Sequence, residues 1–299
     1  MDYEQPRAFI YRNARPLDLA RWTCHFEGKS RDEVLGALAV YQNEDGGFGH
    51  ALEADCWNPH SSPLQTWTAT RVIREIGFED GGHPVIRGIL RYLESDRDFD
   101  GRTWANTVPT NNDYPHAPWW TYRPDQPLTY NPTASLIGFI LRFADQQLLE
   151  RGRSLAREAY TYFKSHHPLE EMHTAAVFVE LYESLQESGI EDVIDLAEFK
   201  ALLCEQIRHS ITRDTAAWAT DYVCKPSLFI RSQSSTFYPG NEAICDAEAA
   251  FIRDTQADDG SWAVTWTWAD DPEAWSISKN WWKADLIIRN LLFVQAMEA

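Results

Sequence analysis

The chain has 299 residues, 44% of them apolar, which is enough to bury a large core and too many for a disordered chain. Twenty-seven Lys and Arg stand against 45 Asp and Glu, for a net charge of −18. Such a surface repels phosphate backbones, so nucleic acid is not an expected partner. No run approaches the ~20 uninterrupted apolar residues of a membrane span. The start, Met-Asp-Tyr-Glu-Gln-Pro, has neither the basic nor the apolar region of a signal peptide. Five cysteines, an odd number without a CxxC, fit a reduced, cytoplasmic protein.

In chain order, residues 5–12 and 16–26 can form a short helical pair. Ser30 and Glu33 make a capping box ahead of Val34, Leu35, Leu38 and Tyr41, which recur at helical spacing. Ser62-Pro63 opens a second helix to about residue 76, and Gly77, Gly81 and Gly82 end it. His83-Pro84 opens a helix through Leu93, and Asn131-Pro132 opens one over 136–143. A helix over 155–163 precedes His167-Pro168 and a helix through Leu185. Another covers 196–211, followed by Lys225-Pro226 as a further helix start. The last pair is 242–255 and 279–297, the final helix apolar on too broad a face for a surface helix. No run alternates as a strand would. The pattern predicts a single all-α domain over 1–299: a helical pair in 1–27, then hairpin repeats over 28–299, five hairpins or six in total. Each hairpin is amphipathic and cannot bury its apolar face alone, so the units must stack or close.

The turn after each first helix carries Asp-Gly-aromatic or a relic of it. Gln42, Asp45, Gly46 and Phe48 form one copy; Gln256, Asp259, Gly260 and Trp262 form another. Weaker copies are Asp100, Gly101 and Trp104, and Asp214 and Trp218. The full copies resemble the QW repeat of squalene and hopene cyclases, Q-x-x-D-G-x-W. The chain is thereby similar to the terpenoid cyclase and protein prenyltransferase superfamily over most of its length. That resemblance implies an α/α toroid, with inner and outer helices around an aromatic cavity. It also gives Gln42 and Gln256 a structural role, the amide capping a helix end and stacking on the aromatic ring. The family's catalytic motifs are missing. There is no D-x-D-D; Glu53-Ala-Asp55-Cys56 and Asp98-Phe-Asp100-Gly101 are the nearest runs. Asp270-Asp271-Pro-Glu273 only brushes the magnesium motif D-D-x-x-D, and Asp55 directly precedes Cys56, which breaks the zinc spacing D-x-C. No metal and no cofactor is therefore expected.

If the hairpins close, their long loops share a rim where polar groups can converge. The first loop brings Glu53, Asp55, Cys56, His50 and His60 within a few residues. Asp55 paired with His60 offers a general acid. Asp55, Cys56 and His60 as metal ligands match no standard zinc site, and Asp55 and Asn58 as loop caps with Cys56 buried are the structural alternative. The second loop holds Asp113, His116, Trp119 and Trp120, a sugar or amphiphile platform or a rigid plug. The last holds Trp266, Trp268, Asp270, Asp271, Glu273, Trp275, Asn280, Trp281 and Trp282, suited to glycoside or carbocation chemistry or to a solvated turn.

These readings predict an enzyme acting on a prenyl or polyprenyl, lipid-like small molecule by acid-initiated cyclisation or isomerisation. Asp55 is the acid, His60 its partner, and Glu53, Asp113 and Asp270 further catalytic carboxylates. Trp57, His116, Trp119, Trp120, Trp266, Trp268 and Trp282 form the substrate lining. A carbohydrate-active enzyme on the related (α/α)6 plan, using Glu53, Asp55, Asp113 and Asp270, and a non-catalytic binding toroid are the alternatives.

Overall fold

The computed structural model describes residues 3–127 and 129–299. The protein is all-α: eleven α-helices and four short 3-10 turns, with only isolated β-bridges and no strand among the described residues. The helices are α1 (Glu4–Asn13), α2 (Pro16–Phe26), α3 (Arg31–Ala39), α4 (Pro63–Glu75), α5 (Pro84–Glu94) and α6 (Thr133–Phe143). They continue with α7 (Gln146–His166), α8 (Met172–Glu187), α9 (Leu196–Ser210), α10 (Glu242–Asp254) and α11 (Pro272–Glu298). Several start where the sequence places a cap and a proline. Ser62 accepts from the Gln65 amide with Pro63 at the first position, and Asp271 accepts from the Ala274 amide with Pro272 next.

Three expectations are corrected. The helix expected over 155–163 runs from Gln146 to His166, its buried Leu148 and Gly152 extending the apolar face of Leu155, Ala156 and Ala159. Lys225-Pro226 starts only a 3-10 turn, Pro226–Leu228, whose Leu228 and Phe229 amides fold back three residues onto the Lys225 and Pro226 carbonyls at 3.1 and 3.0 Å. The last helix begins at Pro272, so Trp275, Trp281 and Trp282 lie on it rather than in a loop; the Asp271-Pro272 cap is the stronger start signal.

The chain divides into two compact units: one takes in the chain up to Ala37 together with Ser210–Ala299, the other is Leu38–His209. The toroid expected from the sequence is a property of both together; what each shows by itself is the all-α class. In the second unit α6 is buried along nearly its whole length and packs against α7 and α8. In the first unit α11 packs on α1, α2 and α10 and buries Ile287, Ile288, Leu291, Phe293 and Val294. A buried ion network ties α2 to it: Asp18 accepts from Arg15 and Arg21, each at 2.9 Å, and Arg21 reaches Asp285 at 2.9 Å.

Each unit holds one full Gln–Gly turn, and the two are built alike. Gln42 Nε2 donates to the Gly46 carbonyl at 2.9 Å, and Gln256 Nε2 to the Gly260 carbonyl at 3.2 Å. Asp45 and Asp259 each accept a backbone amide two residues on, from Gly47 and Ser261, both at 3.0 Å. The anchoring aromatics are buried: Phe48, Trp104, Trp218 and Trp262. Both glycines are left-handed, with φ +93° at Gly46 and +83° at Gly260, a conformation that costs a side chain-bearing residue. Both also press on a neighbouring helix. A Cβ on Gly46 would lie 2.1 Å from the Gly88 carbonyl oxygen of α5; one on Gly260 would lie 2.3 Å from Gln5 C and Pro6 N of α1. Thus α1 meets the α10–α11 turn as α5 meets the α3–α4 turn.

Gly46→Ala should destabilise the protein by roughly 2–4 kcal/mol, through backbone strain and a clash with unyielding backbone. Gly36→Ala, in an exposed part of α3 with nothing within 4 Å, should be neutral or stabilising by up to about 1 kcal/mol. Denaturant midpoints of the two variants check this; equal effects would show that the turn does not lock the helix.

Candidate functional site

The loop between α3 and α4 is held by side chains reaching back from the helices. The Gln65 amide, buried on α4, accepts from the Leu52 amide at 2.9 Å and donates to the Asn58 carbonyl at 2.8 Å. The Asn43 amide donates to the Pro59 carbonyl at 3.1 Å and to Ser61 Oγ at 3.0 Å. This bracing sustains two consecutive left-handed residues without a glycine, His50 (φ 59°) and Ala51 (φ 60°). Such conformations cost about 1–3 kcal/mol each and concentrate at functional sites. They turn the chain so that Glu53, Asp55 and Cys56 are buried, Asp55 at 2% exposure. Glu53 Oε2 accepts from the Asp55 amide at 2.8 Å. Burial, then the Glu53 charge, pushes the Cys56 thiol up to about 12, so the thiol stays protonated near neutral pH.

The loop between α5 and α6 closes onto the first. The Trp57 amide donates to the Pro115 carbonyl at 2.9 Å, and the Ala117 amide to the Asp55 carbonyl at 2.8 Å. Buried Asn58 donates to Asn111 Oδ1 and Thr110 Oγ1, both at 2.9 Å. The structure therefore brings Glu53, Asp55, Trp57, His60, His116, Trp119 and Trp120 onto one pair of cross-braced loops. The expected Asp55–His60 pair does not form: His60 is exposed and its Nε2 lies 3.3 Å from Tyr114 Oη, in an edge-on ring contact. The rigid Asn58 turn aims His60 outwards while Asp55 points in. Both nitrogens of His116 are engaged, at 2.7 Å to the Tyr114 carbonyl and 3.1 Å to Thr121 Oγ1. Asp113 is exposed, Trp119 is exposed, and half-buried Trp120 keeps its indole N–H buried without an acceptor.

The other predicted residues belong to the first unit. Trp266 contacts Tyr222 and Trp282 edge-on, with centroids 5.3 and 5.1 Å apart, in a part-exposed aromatic cluster. Trp268 is buried beside Trp275. Of the acidic turn, Asp271 caps α11 and Asp270 is exposed.

Two buried carboxylates were not singled out by the sequence. Glu180 on α8, 5% exposed, accepts from Trp67 Nε1 at 3.2 Å and Ser135 Oγ at 2.5 Å, with Arg71 Nε 3.8 Å away. The trace of Glu180 in the sequence is a polar stripe at helical spacing: Trp67, Arg71, Arg74 on α4, Ser135 and Arg142 on α6, Glu180, Ser184, Glu187 on α8. Such stripes ordinarily face solvent; only packing turns these three towards one another. Glu248 on α10 accepts from the Ser227 amide at 2.7 Å and its hydroxyl at 2.6 Å. Burial raises its pKa above the usual carboxylate value, against the opposing pull of Ser227, Lys225 and Arg289. Burial also lowers Lys225, whose ammonium sits 4.9 Å over the Phe251 ring.

No family model matches the chain, and no curated protein does. A solved structure, a protein from Actinoplanes, is similar with a TM-score of 0.58 and 14% identity, over 99% of this chain and 98% of that one. At that identity the likeness is one of fold. No helix of the described residues is long and apolar enough to cross a membrane.

Because folding raises the Glu248 value, the folded state holds this proton more tightly than the unfolded chain. Stability is greatest below the unfolded value and falls as pH rises through the raised folded one. Glu248→Gln keeps both Ser227 contacts and removes the titration. Its melting temperature at pH 7 should equal or exceed that of the unaltered protein, with a flatter profile between pH 4 and 7. A drop of several degrees at pH 7 alone would show that pairing with Lys225 outweighs burial.

Proposed function

We propose that this protein is an enzyme of terpenoid-cyclase type, taking a prenyl or polyprenyl substrate through acid-initiated cyclisation or isomerisation in a reduced, cytoplasmic setting. The observation that supports this best is Asp55, a carboxyl shut away from water in a strained loop and clamped by a second loop rich in Trp. Donating a proton to an alkene demands a carboxyl kept from water, since solvation favours the ionised form. In the step, the O–H pair of electrons stays on Asp55, the alkene π pair forms the new C–H bond, and a carbocation results. Ring closure and loss of a proton return a neutral isomer. Half-buried Trp57 and Trp120 and exposed Trp119 carry the π faces that favour such a cation. The free cysteines fit the reduced setting.

Incubation with a panel of prenyl and polyprenyl substrates, followed by mass spectrometry, should reveal a product isomeric with its substrate. Asp55→Asn should lower turnover at least about a thousandfold, a loss of about 4 kcal/mol in transition-state stabilisation, without loss of folding, since Asn keeps the shape and removes the proton. Full activity in this variant would remove Asp55 as the acid. Turnover of oligosaccharides instead of prenyl compounds would favour the carbohydrate reading.

A further inference from the structure

The first unit holds an amine that no carboxylate claims. Lys225 precedes the 3-10 turn Pro226–Leu228, and its ammonium makes no hydrogen bond or ion pair among the described residues. What it touches is the face of Phe251 on α10, with 4.9 Å from nitrogen to ring centre. Fully buried Trp218 stands edge-on to the same ring at 5.7 Å. Glu248, the carboxylate that pulls on Lys225, is committed elsewhere: one oxygen accepts from the Ser227 amide at 2.7 Å, the other from the Ser227 hydroxyl at 2.6 Å. Arg289 on α11, itself 3.3 Å from Asp285, adds a like charge. In a chain with 45 carboxylates and a net charge of −18, an ammonium resting on an aromatic ring beside a committed carboxylate and a guanidinium is unusual. Burial lowers the Lys225 pKa, Glu248 opposes that, and Arg289 adds to it. Lys225 and Phe251 are half-buried, and the Lys225 nitrogen is not one of the sealed polar atoms without a partner, so water reaches it.

We propose that Lys225 is a nucleophilic amine that forms an imine with an aldehyde. A lysine whose ammonium is poorly solvated and faces a second cation is the kind that attacks carbonyls, because only the neutral amine has a lone pair to give. In the step the nitrogen lone pair forms the C–N bond and the carbonyl π pair moves to oxygen. Both amine protons then leave with that oxygen as water, and a C=N bond remains. An aldehyde fits the surroundings better than an acyl group. The protonated imine keeps the positive charge that the Phe251 face and Glu248 attract, whereas an amide would be neutral there. Acyl transfer also calls for a hydrogen-bond donor to its oxyanion, and the Ser227 amide and hydroxyl are already given to Glu248. The site belongs to the first unit, does not use Asp55 and does not depend on the prenyl reading.

Incubation of the full chain with butanal and sodium cyanoborohydride at pH 7 traps imines as secondary amines, and peptide mass spectrometry reads the rate at each lysine. An ordinary lysine is neutral in only about one part in 2,500 at pH 7. Lys225 should be labelled at least about tenfold faster than exposed Lys200, and its rate should level off at a lower pH. Lys225→Arg keeps the cation and should remove the fast-labelled fraction while leaving Lys200 as it was. Equal rates at Lys225 and Lys200, or the same pH dependence at both, would overturn the proposal, and both are read on the unaltered protein whatever the variant does. Rapid acetylation of Lys225 by N-acetoxysuccinimide, with reductive trapping no faster than at Lys200, would overturn the choice of an aldehyde.

Discussion

Each unit depends on a glutamine amide that closes a turn over a glycine carbonyl. Gln42 and Gln256 donate across the turns that follow α3 and α10, and the glycines so held, Gly46 and Gly260, abut the backbone of α5 and α1. Gln42 serves both sides of this contact, since its Nε2 also donates to the Val85 carbonyl of α5 at 3.1 Å. A Cβ on Gly88 would in turn lie 2.2 Å from that nitrogen. The packing of α5 on the α3–α4 turn therefore requires a glutamine and two glycines together. The aspartates and buried aromatics complete the turn by satisfying its amides and filling the space beneath it.

With the turns fixed, the residues beyond them are free to form long loops without loosening the helices. Those loops are ordered by side-chain amides rather than by strands. Gln65, Asn43, Asn58 and Asn111 each bridge backbone or side-chain groups that a helix would have satisfied internally. Buried polar networks of this kind rigidify only when their members are paired. Here the pairing lets His50 and Ala51 keep strained backbone and keeps Glu53 and Asp55 under cover.

The helices add a second kind of polar interior. Asp18 with Arg15, Arg21 and Asp285 in one unit, and Glu180 with Arg71 beside Arg74 and Arg142 in the other, are charges taken from water and compensated within the protein. A buried ion pair gives little net stability, but removing one partner leaves an uncompensated charge at a cost of about 3–5 kcal/mol. The first network joins α2 to α11; the second joins α4, α6 and α8 around a cavity with room for about one water.

Sequence by itself determined the all-α class, most helix starts, and the paired turns. These follow from local rules: a proline and a cap at positions such as Ser62-Pro63 and His83-Pro84, apolar residues at helical spacing, and glycine where φ is positive. It also marked the loop that buries Asp55, because carboxylates, a thiol and histidines crowd there. What it missed was decided between segments far apart in the chain. His60 turned to Tyr114 because the second loop packs against the first, and the Ser227 amide on the Pro226 turn is taken by Glu248 on α10. Glu180 reads in sequence as one of many acids on an amphipathic helix. Only the packing of α4 and α6 beside α8 puts Trp67, Arg71 and Ser135 around it, since side-chain periodicity fixes the face a residue occupies but not what that face meets.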